Sequence, residues 1–251
     1  MEMKNISDKI QTAKQIIQNS KNIVAFTGAG ISTESGIPDF RSPGGLWERF
    51  DPMKYANYKV FLKQPQYYWE LEREITKLVE KSEPNPAHFA LVKLEKIGKL
   101  KAIITQNIDM LHQKAGNKIP IYELHGSAYS GKCLKCGEKL TRTQLLHKMN
   151  TETIPRCEKC KGLVKPNVVL FEEKLPPEAY DGAMNALNDA DCFIVIGSSL
   201  LVSPANYFPY VASESGIKMI FINRDPTFLD EFAEVVLQGN AGEILPELVV
   251  P

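Results

Sequence analysis

The sequence predicts a doubly wound α/β fold, in which helices cover both faces of a parallel sheet, with a smaller unit inserted into it. Short, continuous apolar runs alternate with segments of helical periodicity, and two longer stretches interrupt the alternation. Continuous apolar runs are typical of parallel strands that are covered on both faces. The predicted strands are Asn22–Thr27, Ala102–Thr105, Ile119–Leu124, Phe193–Ile196 and Lys218–Ile222.

Helices are predicted between these strands. Residues 6–17 carry apolar side chains at intervals of about 3.6 residues, which is typical of an amphipathic helix. Asn85 can cap a helix that Pro86 begins and Gly98 ends, because an asparagine side chain accepts hydrogen bonds from the first backbone amides of a helix. Further helices are predicted at Pro177–Ala190, at Pro204–Gly216 and in the last segment, after Gly239.

Two stretches lack the strand–helix alternation, and we expect them to form the smaller unit. Residues 42–85 are rich in aromatic residues, lysine and glutamate and show no clear strand, which predicts a helical insert. Residues 129–166 contain four of the cysteines and many charges, which predicts a metal-binding module. The larger domain would then combine residues 1–41, 86–128 and 167–251.

The composition is that of an ordinary globular protein, with 43% hydrophobic and 24% charged residues. The 30 basic residues balance the 30 acidic ones, so the chain as a whole is not built for bulk attraction to DNA or anionic lipid. No apolar run approaches the ~20 residues that span a bilayer, and the first residues have no signal-peptide core. We therefore expect a cytoplasmic protein without a membrane partner. The sequence does not indicate which oligomeric state the protein has.

Four of the five cysteines form two Cys-x-x-Cys pairs, Cys133 with Cys136 and Cys157 with Cys160. Four thiolates close a tetrahedral zinc site and leave no position for a reacting water, so we predict one structural zinc ion. Two disulfides are a weaker alternative because the number of cysteines is odd, and a redox centre would need only one pair. Cys192 lies beside a predicted strand and is expected to be a buried core residue.

A glycine-rich loop, GAGIS at residues 28–32, follows the first predicted strand. Glycines at a strand end let the backbone approach a phosphate closely, and the N-terminus of the next helix favours the anion. The usual dinucleotide fingerprint needs a third glycine, however, and Thr33 stands at that position. Taken alone, the loop fits a phosphate site and an ordinary strand–helix turn equally well.

Several motifs follow one another along the chain: GAGIST, GIPDFR, TQNID, ELHG, the two cysteine pairs and IGSSL. Their order and spacing resemble the sirtuin family over nearly the whole chain. The resemblance implies an enzyme that removes acyl groups from protein lysine and consumes NAD. It also implies a large Rossmann-like NAD-binding domain and a smaller inserted zinc-binding and helical domain, with NAD and the acyl-lysine meeting in the cleft between them.

The resemblance further implies which residues contact NAD. The pyrophosphate and ribose would lie against Gly28, Ala29, Gly30, Ile31 and Ser32. Asp39, Phe40 and Arg41 would form a mobile cofactor loop, in which the phenyl ring excludes water and the guanidinium orients the cofactor. Contacts to the nicotinamide and its ribose would come from Gln106, Asn107, Ile108 and Asp109. The remaining contacts would be made by Gly197, Ser198, Ser199, Asn223, Arg224, Asp225 and, on the adenine side, Ala241.

His125 matches the general base of the family. In that chemistry nicotinamide leaves C1′ of the ribose, the acyl amide oxygen attacks that carbon, and a base takes a ribose hydroxyl proton. A neutral imidazole, with an ordinary pKa of about 6.5, suits this step at neutral pH. The products would be lysine, nicotinamide and O-acyl-ADP-ribose. Asn107 and Asp109 are further catalytic candidates, although each could be a turn residue. Among the other histidines, His88 and His147 are expected to be non-catalytic, and His112 is expected to have a packing or hydrogen-bonding role.

Residues 165–176 resemble the segment that clamps the peptide substrate by adding a strand beside it. Val168 would contact the acyl-lysine, and Leu170 and Phe171 would border the peptide. The family commonly has Phe-Gly-Glu where this chain has Phe171-Glu172-Glu173, so a glutamate replaces a glycine that can adopt unusual backbone angles. One hypothesis is that this extra carboxylate favours basic peptides.

Two positions of the helical insert predict the acyl preference. One sirtuin branch removes acidic groups such as succinyl and uses a tyrosine followed three residues later by an arginine. An alignment on Pro65 and Trp69 puts Glu72 and Ile75 at these positions. Neither side chain offers a cation to an acidic acyl chain, so we predict removal of acetyl or other neutral acyl groups.

Two alternatives stay open from the sequence. The cysteine cluster could belong to a zinc ribbon that binds nucleic acid, because the stretch around it contains many lysines, although lysines also favour an ordinary solvated surface. Protein ADP-ribosyl transfer is the other alternative, since it uses the same cofactor and the same departure of nicotinamide. We expect acyl-lysine proteins or peptides, rather than nucleic acid, to be the partners.

Overall fold

The computed structural model describes residues 6–249, and contacts divide the chain into two compact units. The larger unit consists of the chain up to Ile37, Glu83–Leu124 and the chain from Pro177 onward. The smaller unit consists of Pro38–Ser82 and His125–Pro176. The smaller unit extends past the boundary at residue 167 that we expected from the sequence, because residues beyond 167 bond within it: Val169 N donates to His125 O and Phe171 N donates to Ala56 O.

The strands of the described chain are, in order, β1 (Ile23–Thr27), β2 (Leu100–Thr105), β3 (Ile121–Glu123), β4 (Gly126–Cys133), β5 (Lys139–Thr141), β6 (Val164–Val168), β7 (Cys192–Ile196), β8 (Lys218–Asn223) and β9 (Val235–Gln238). The larger unit contains a 6-stranded sheet of order β3-β2-β1-β7-β8-β9, in which neighbouring strands are parallel. The predicted α/β class is therefore confirmed. Strand β9 was not expected from the sequence. It is an edge strand of 4 residues in which burial alternates from one residue to the next.

The helices of the described chain are α1 (Ile6–Asn19), α2 (Leu46–Arg49), α3 (Pro52–Tyr55), α4 (Tyr58–Lys63), α5 (Pro65–Lys81), α6 (Pro86–Lys96), α7 (Leu111–Ala115), α8 (Arg142–Thr151), α9 (Pro177–Asn188), α10 (Tyr207–Glu214) and α11 (Ala241–Leu248). Short 3₁₀ helices cover Ala29–Ser35 and Asp230–Phe232. Asn85 caps α6 as predicted, with its Oδ1 accepting from the Ala87 amide at 3.0 Å. The helix expected from Pro204 begins only at Tyr207, because the preceding residues form a turn in which Val202 O accepts from the Asn206 amide.

The core of the larger unit is built on the two central strands. Every residue of β1 and of β7 is buried, and helices α1, α6 and α11 pack against them. Each fully buried aliphatic side chain contributes about 1.5–3 kcal/mol relative to an exposed one. Cys192, the first residue of β7, is 0% exposed, in agreement with its expected place in the core.

The smaller unit combines helices α2 to α5 and α8 with a 3-stranded antiparallel sheet of order β5-β4-β6. Its longest helix, α5, buries one face that includes Tyr68, Trp69 and Ile75. Arg73 of this helix donates from Nη2 to the backbone oxygens of Glu152 and Thr153, just after α8, at 2.6 and 3.0 Å. These bonds join the two segments that were expected to form the inserted unit. None of the helices between residues 6 and 249 combines the length and the apolar character needed to cross a bilayer.

Candidate functional site

The carboxyl ends of β1 and β7 meet through glycines. Gly30 N donates to Gly197 O at 2.8 Å, and a Cβ added to Gly28 would lie 2.7 Å from the same oxygen. Gly197 itself has a φ of +62°, and a Cβ added there would overlap the Ile31 amide. A glycine that directly follows β7 thus packs against the first two glycines of the incomplete fingerprint. The close approach of the two backbones keeps side chains away from this edge of the sheet.

This approach makes a sharp prediction for Gly197→Ala. The left-handed backbone would destabilise the alanine variant by about 1–2 kcal/mol. Overlap of the new Cβ with the Gly30–Ile31 backbone would destabilise it by about 1–3 kcal/mol more. We expect a lower midpoint of thermal unfolding and a decrease of about 10²-fold in kcat/KM for NAD, because the loop is displaced. Gly216→Ala is the matched control, since Gly216 has a φ of +68° but faces open space. Equal effects of the two substitutions on kcat/KM for NAD would contradict the packing argument.

Ser32, Asn107 and Asp109 form one buried cluster beside the glycine-rich loop. Ser32 Oγ donates to Asp109 Oδ2 at 2.7 Å, while Asn107 Nδ2 lies 3.0 Å from Gly28 O and 3.2 Å from Ser32 Oγ. Burial raises the pKa of Asp109, and the bonds from the Leu111 amide and Ser32 act in the opposite direction. Four residues that sequence reasoning assigned to NAD thus share one hydrogen-bonded cluster at the ends of β1 and β2.

Behind this cluster lies a hydroxyl–imidazole chain that sequence reasoning did not identify. Thr27 Oγ1 bonds Thr105 Oγ1 at 2.8 Å and His112 Nε2 at 2.9 Å, and Thr105 Oγ1 accepts from the Asn107 amide at 3.0 Å. Burial lowers the pKa of His112 to about 3, so its imidazole stays neutral. His112 therefore has the hydrogen-bonding role expected for it, and the chain positions the backbone of Asn107.

Asn85 supports the glycine-rich loop, a second role that its sequence position did not reveal. Its Nδ2 donates to Ile31 O at 2.7 Å and lies 3.0 Å from Ser35 Oγ, while its Oδ1 caps α6. The sequence signal was only that of a helix cap. The second role depends on α6 and the 3₁₀ helix lying side by side, which the local pattern does not encode.

The loops after β7 and β8 also meet. Ser198 N donates to Asn223 Oδ1 at 2.9 Å, and Ser198 Oγ donates to Gln106 Oε1 at 3.1 Å. Asn223 Nδ2 is buried and, among the described residues, has no hydrogen-bond partner. A donor of this kind beside side-chain-free glycine backbone fits a polar, phosphate-bearing cofactor such as NAD. Ser199, Arg224 and Asp225 are exposed.

At the start of α11, the Gly242 amide donates to Glu34 Oε2 at 2.7 Å, so a side chain of the 3₁₀ helix Ala29–Ser35 caps α11. Ala241, the residue expected near adenine, is buried at this same helix start. The glycine-rich loop and the segment expected near adenine are therefore linked directly within the larger unit.

The smaller unit carries the expected cofactor loop and peptide clamp. Asp39 Oδ1 accepts from the Arg41 and Ser42 amides at 3.0 and 2.7 Å, which folds this loop on itself. The ring of Phe40 lies 4.9 Å from that of Trp47, and Trp47 lies 6.3 Å from Phe171. The expected cofactor loop and the expected clamp thus contact one shared tryptophan.

The clamp segment, residues 165–176, begins within β6 and forms backbone hydrogen bonds within the smaller unit. Val169 N donates to His125 O at 2.8 Å, and Phe171 N donates to Ala56 O at 2.8 Å. Val168 and Leu170 are buried. His125 lies directly before β4 and is partly exposed.

Glu172 occupies a left-handed backbone conformation, with a φ of +71°. This is the position where the family commonly has glycine, so the glutamate keeps the glycine's unusual geometry rather than changing it. Its carboxylate forms an ion pair with Lys59 Nζ at 2.8 Å, and this bond lowers the pKa of Glu172. The carboxylate thus has a partner within the chain, which weakens the hypothesis that it attracts basic peptides.

The sulfur atoms of Cys133, Cys136, Cys157 and Cys160 all lie within 4.8 Å of one another. Each pair sits in a tight turn, in which Gly137 N donates to Cys133 O at 3.0 Å and Lys161 N donates to Cys157 O at 2.9 Å. Four thiolates in this arrangement fit a structural zinc ion, which would be fully coordinated by protein. The cluster is the only group of this kind that the described part of the chain contains.

Glu72 is buried on α5 and accepts from Tyr68 Oη at 2.9 Å. Burial raises its pKa from 4.5 to about 7. Because the folded state binds the proton more tightly than the unfolded state, the free energy of unfolding falls as the pH rises from about 4.5 to about 7. This loss amounts to about 3 kcal/mol.

Glu72→Gln is therefore expected to remove this loss, because glutamine stays neutral at every pH. Relative to the parent protein, the variant should gain about 3 kcal/mol between about pH 5 and about pH 8. Urea unfolding at the two pH values measures the difference. Glu70→Gln, at an exposed position on the same helix, is the control and should show no such gain. Parallel pH profiles for the parent and Glu72→Gln would contradict the role of burial.

Known proteins resemble this chain over most of its length. A family profile described as the Sir2 family matches residues 28–204. A curated relative from Archaeoglobus fulgidus, named NAD-dependent protein deacylase 2, is 46% identical over 245 residues, covering 97% of this chain and 96% of the relative. A solved Sir2 variant with a deacetylated peptide and 3′-O-acetyl-ADP-ribose has a TM-score of 0.91 at 35% identity, covering 95% and 96% of the two chains. Sir2Af2 bound to a myristoylated histone peptide has a TM-score of 0.82 at 41% identity, covering 97% and 95%.

Proposed function

This chain belongs to the Sir2 family, and we propose that it removes acetyl or other neutral acyl groups from protein lysine while consuming NAD. The observation that carries the proposal is the cluster of Gly28, Ser32, Asn107 and Asp109 at the strand ends, beside the glycine contact with Gly197. A relative named as a deacylase at 46% identity supports the same reaction. The products would be lysine, nicotinamide and O-acyl-ADP-ribose.

NAD, when bound, supplies the ribose carbon that accepts the acyl oxygen and the nicotinamide that leaves. The glycine-rich loop would lie against the pyrophosphate, because glycines without side chains let the backbone approach a phosphate closely. Asn107 and Asp109 would orient the nicotinamide ribose, and their bonds to Ser32, Gly28 O and the Leu111 amide already restrict their side chains. Gln106, Ser198 and Asn223 would present amide and hydroxyl groups to the remaining ribose.

His125 would take the ribose hydroxyl proton on a ring nitrogen. Its backbone is secured on both sides, since His125 O accepts from the Val169 amide and Gly126 begins β4. The ring, which is partly exposed, can accept and later release a proton. Phe40, stacked on Trp47, would exclude water from the reacting centre.

The preference for neutral acyl groups rests on the side chains of α5. Glu72 and Ile75 are both buried, and Glu72 is bonded to Tyr68. Neither position supplies a cation to an acidic acyl chain. Binding of a myristoylated peptide by a relative also fits a site for neutral acyl chains.

A panel of acetyl-, propionyl- and succinyl-lysine peptides tests the function. We expect release of nicotinamide only when NAD and an acylated peptide are both present, with turnover of acetyl and propionyl peptides at least about tenfold above succinyl, the factor that corresponds to about 1.4 kcal/mol. Chromatography of nicotinamide and mass spectrometry of the peptide measure both products. Comparable turnover of succinyl and acetyl peptides would overturn the acyl preference, and nicotinamide release without acylated peptide would overturn the deacylase assignment.

Two alternative functions predict different measurements. ADP-ribosyl transfer would add mass to a protein substrate, whereas deacylation removes the acyl group. Nucleic-acid binding would show a steep salt dependence. Several basic residues of the cysteine stretch have acidic partners in the smaller unit, which argues against a surface built for phosphate: Arg142 with Glu80, Lys148 with Glu152, and Lys159 with Glu138. The cytoplasmic location stays a prediction, which cell fractionation would test.

A further inference from the structure

Lys165 of β6 is a buried cation with an unusual set of partners. Its side chain is 5% exposed, and Nζ lies 2.9 Å from Glu173 Oε2. The same nitrogen donates to Val168 O at 2.6 Å and to Pro166 O at 3.3 Å. The ammonium therefore bonds backbone oxygens of its own strand and, through a carboxylate, the segment that follows this strand.

Glu173 completes the arrangement from the other end of that segment. Its Oε2 accepts from the Leu170 amide at 2.9 Å, and its own amide donates to Leu170 O at 3.0 Å. One carboxylate oxygen thus joins Lys165 and Leu170. The ion pair holds the carbonyl of Val168 and the amide of Leu170 at the same time, so these two backbone groups cannot turn independently.

The Lys165 side chain is buried and that of Glu173 is partly exposed. The ion pair is a weak contributor to stability, because the loss of hydration at Lys165 offsets most of the attraction. Burial lowers the pKa of Lys165, and Glu173 counteracts that effect. Glu72 of α5 adds a second acidic group nearby, and Lys132 of β4 adds a cation. Burial of the Lys165 charge costs hydration free energy. The bonds of the pair to Val168 O and the Leu170 amide fix the backbone between these two residues.

The exposed pair Lys159–Glu138 in the same unit provides a contrast. Its side chains are 67% and 41% exposed, and the ammonium lies 2.6 Å from the carboxylate. The bonds described for Lys159 and Glu138 involve no backbone group of residues 165–173. Both sites contain a lysine–glutamate ion pair. Only the Lys165–Glu173 pair also bonds the backbone of Val168 and Leu170.

We propose that Lys165 and Glu173 are positioning residues for the acylated peptide, setting the backbone of Val168–Leu170 in the conformation that receives it. The proposal rests on the proposed function, in which Val168, Leu170 and Phe171 contact the substrate. Phe171 is bonded separately, because its amide donates to Ala56 O and its oxygen accepts from the Tyr58 amide. The Lys165–Glu173 pair therefore orders the first part of the clamp, and the segment at the start of α4 orders the last part. Loss of the pair therefore weakens peptide binding and leaves NAD binding intact.

The decisive variant replaces both charges together, Lys165→Met with Glu173→Leu. An apolar pair of similar volume commonly preserves stability where a lone buried charge would not, so this protein is expected to fold and to retain zinc. It loses the bonds to Val168 O and the Leu170 amide. We expect KM for an acetyl-lysine peptide to rise at least about tenfold, with KM for NAD within about twofold of the parent protein. Lys165→Arg, which keeps the charge, should restore part of the peptide affinity relative to Lys165→Met alone.

Lys159→Met is the matched control, and both KM values should stay unchanged there. A merely structural role for the buried pair would lower the midpoint of thermal unfolding and alter both KM values together, which would overturn the proposal. An unchanged peptide KM in the folded double variant would overturn it as well. If the parent protein itself shows no NAD-dependent turnover of acetyl peptide, the proposed function fails instead, so the two failures are distinguishable.

Discussion

Replacing His125 with alanine is expected to lower kcat for NAD-dependent deacylation by about 10²–10⁴-fold, the usual contribution of a positioned general base. The side chain is partly exposed at the start of β4, while its backbone oxygen accepts from the Val169 amide. Alanine keeps that backbone bond and removes only the imidazole. We therefore expect the fold, the zinc content and the binding of NAD to remain those of the parent protein.

His147→Ala is the matched control for this experiment. His147 is exposed on α8 in the same unit, and its replacement should leave kcat unchanged. Single-turnover measurements with an acetyl peptide separate the chemical step from the release of products. Undiminished activity of His125→Ala would remove His125 from the mechanism and leave the roles of Asn107 and Asp109 to be tested next.

Removal of zinc is expected to unfold the smaller unit around the cysteine cluster. Structural zinc contributes an apparent ~10–16 kcal/mol in small zinc-binding peptides, far more than the side chains packed there could replace. Cys133 and Cys157 are buried, and the turns around them depend on a few backbone bonds. A strong chelator, or Cys133→Ala, should increase proteolytic cleavage within residues 125–176 and abolish deacylation.

Cys192→Ala provides the control, because this buried cysteine belongs to β7 and lies outside the cluster. We expect it to retain zinc and most of the activity. Zinc content is measured by mass spectrometry of the intact protein, and unfolding by thermal denaturation with and without chelator. A chelated protein with an unchanged melting profile and full activity would show that the metal is dispensable.

The chemistry of the cysteines was readable from spacing because both pairs are local. Two residues between cysteines allow one turn to present two sulfurs, whatever the rest of the fold does. The strands were readable for a similar reason, since a continuous apolar run predicts burial on both faces. Asn85 shows the limit of such reasoning: its cap was predicted, but its bond to Ile31 O depends on a neighbour 54 residues away in sequence.

Glu172 illustrates a different limit. The sequence shows that a glutamate stands where the family commonly has glycine, but it does not show which backbone conformation the glutamate adopts. The structure gives this glutamate a φ of +71° and an ion pair with Lys59. The surrounding hydrogen bonds of Phe171 impose the backbone conformation, so the residue adopts it despite a cost of about 1–2 kcal/mol.

The sequence by itself determined the α/β class, the zinc ligands and the family, because each depends on residue type at short spacing or on ordered motifs along the chain. The tertiary structure decided which glycine packs against the incomplete glycine fingerprint. Gly28 and Gly197 are far apart in sequence, and parallel pairing of β1 with β7 places them in contact. It also decided the partners of Lys165 and Glu173. Both outcomes follow from long-range packing, in which the required neighbour is set by strand order rather than by local sequence.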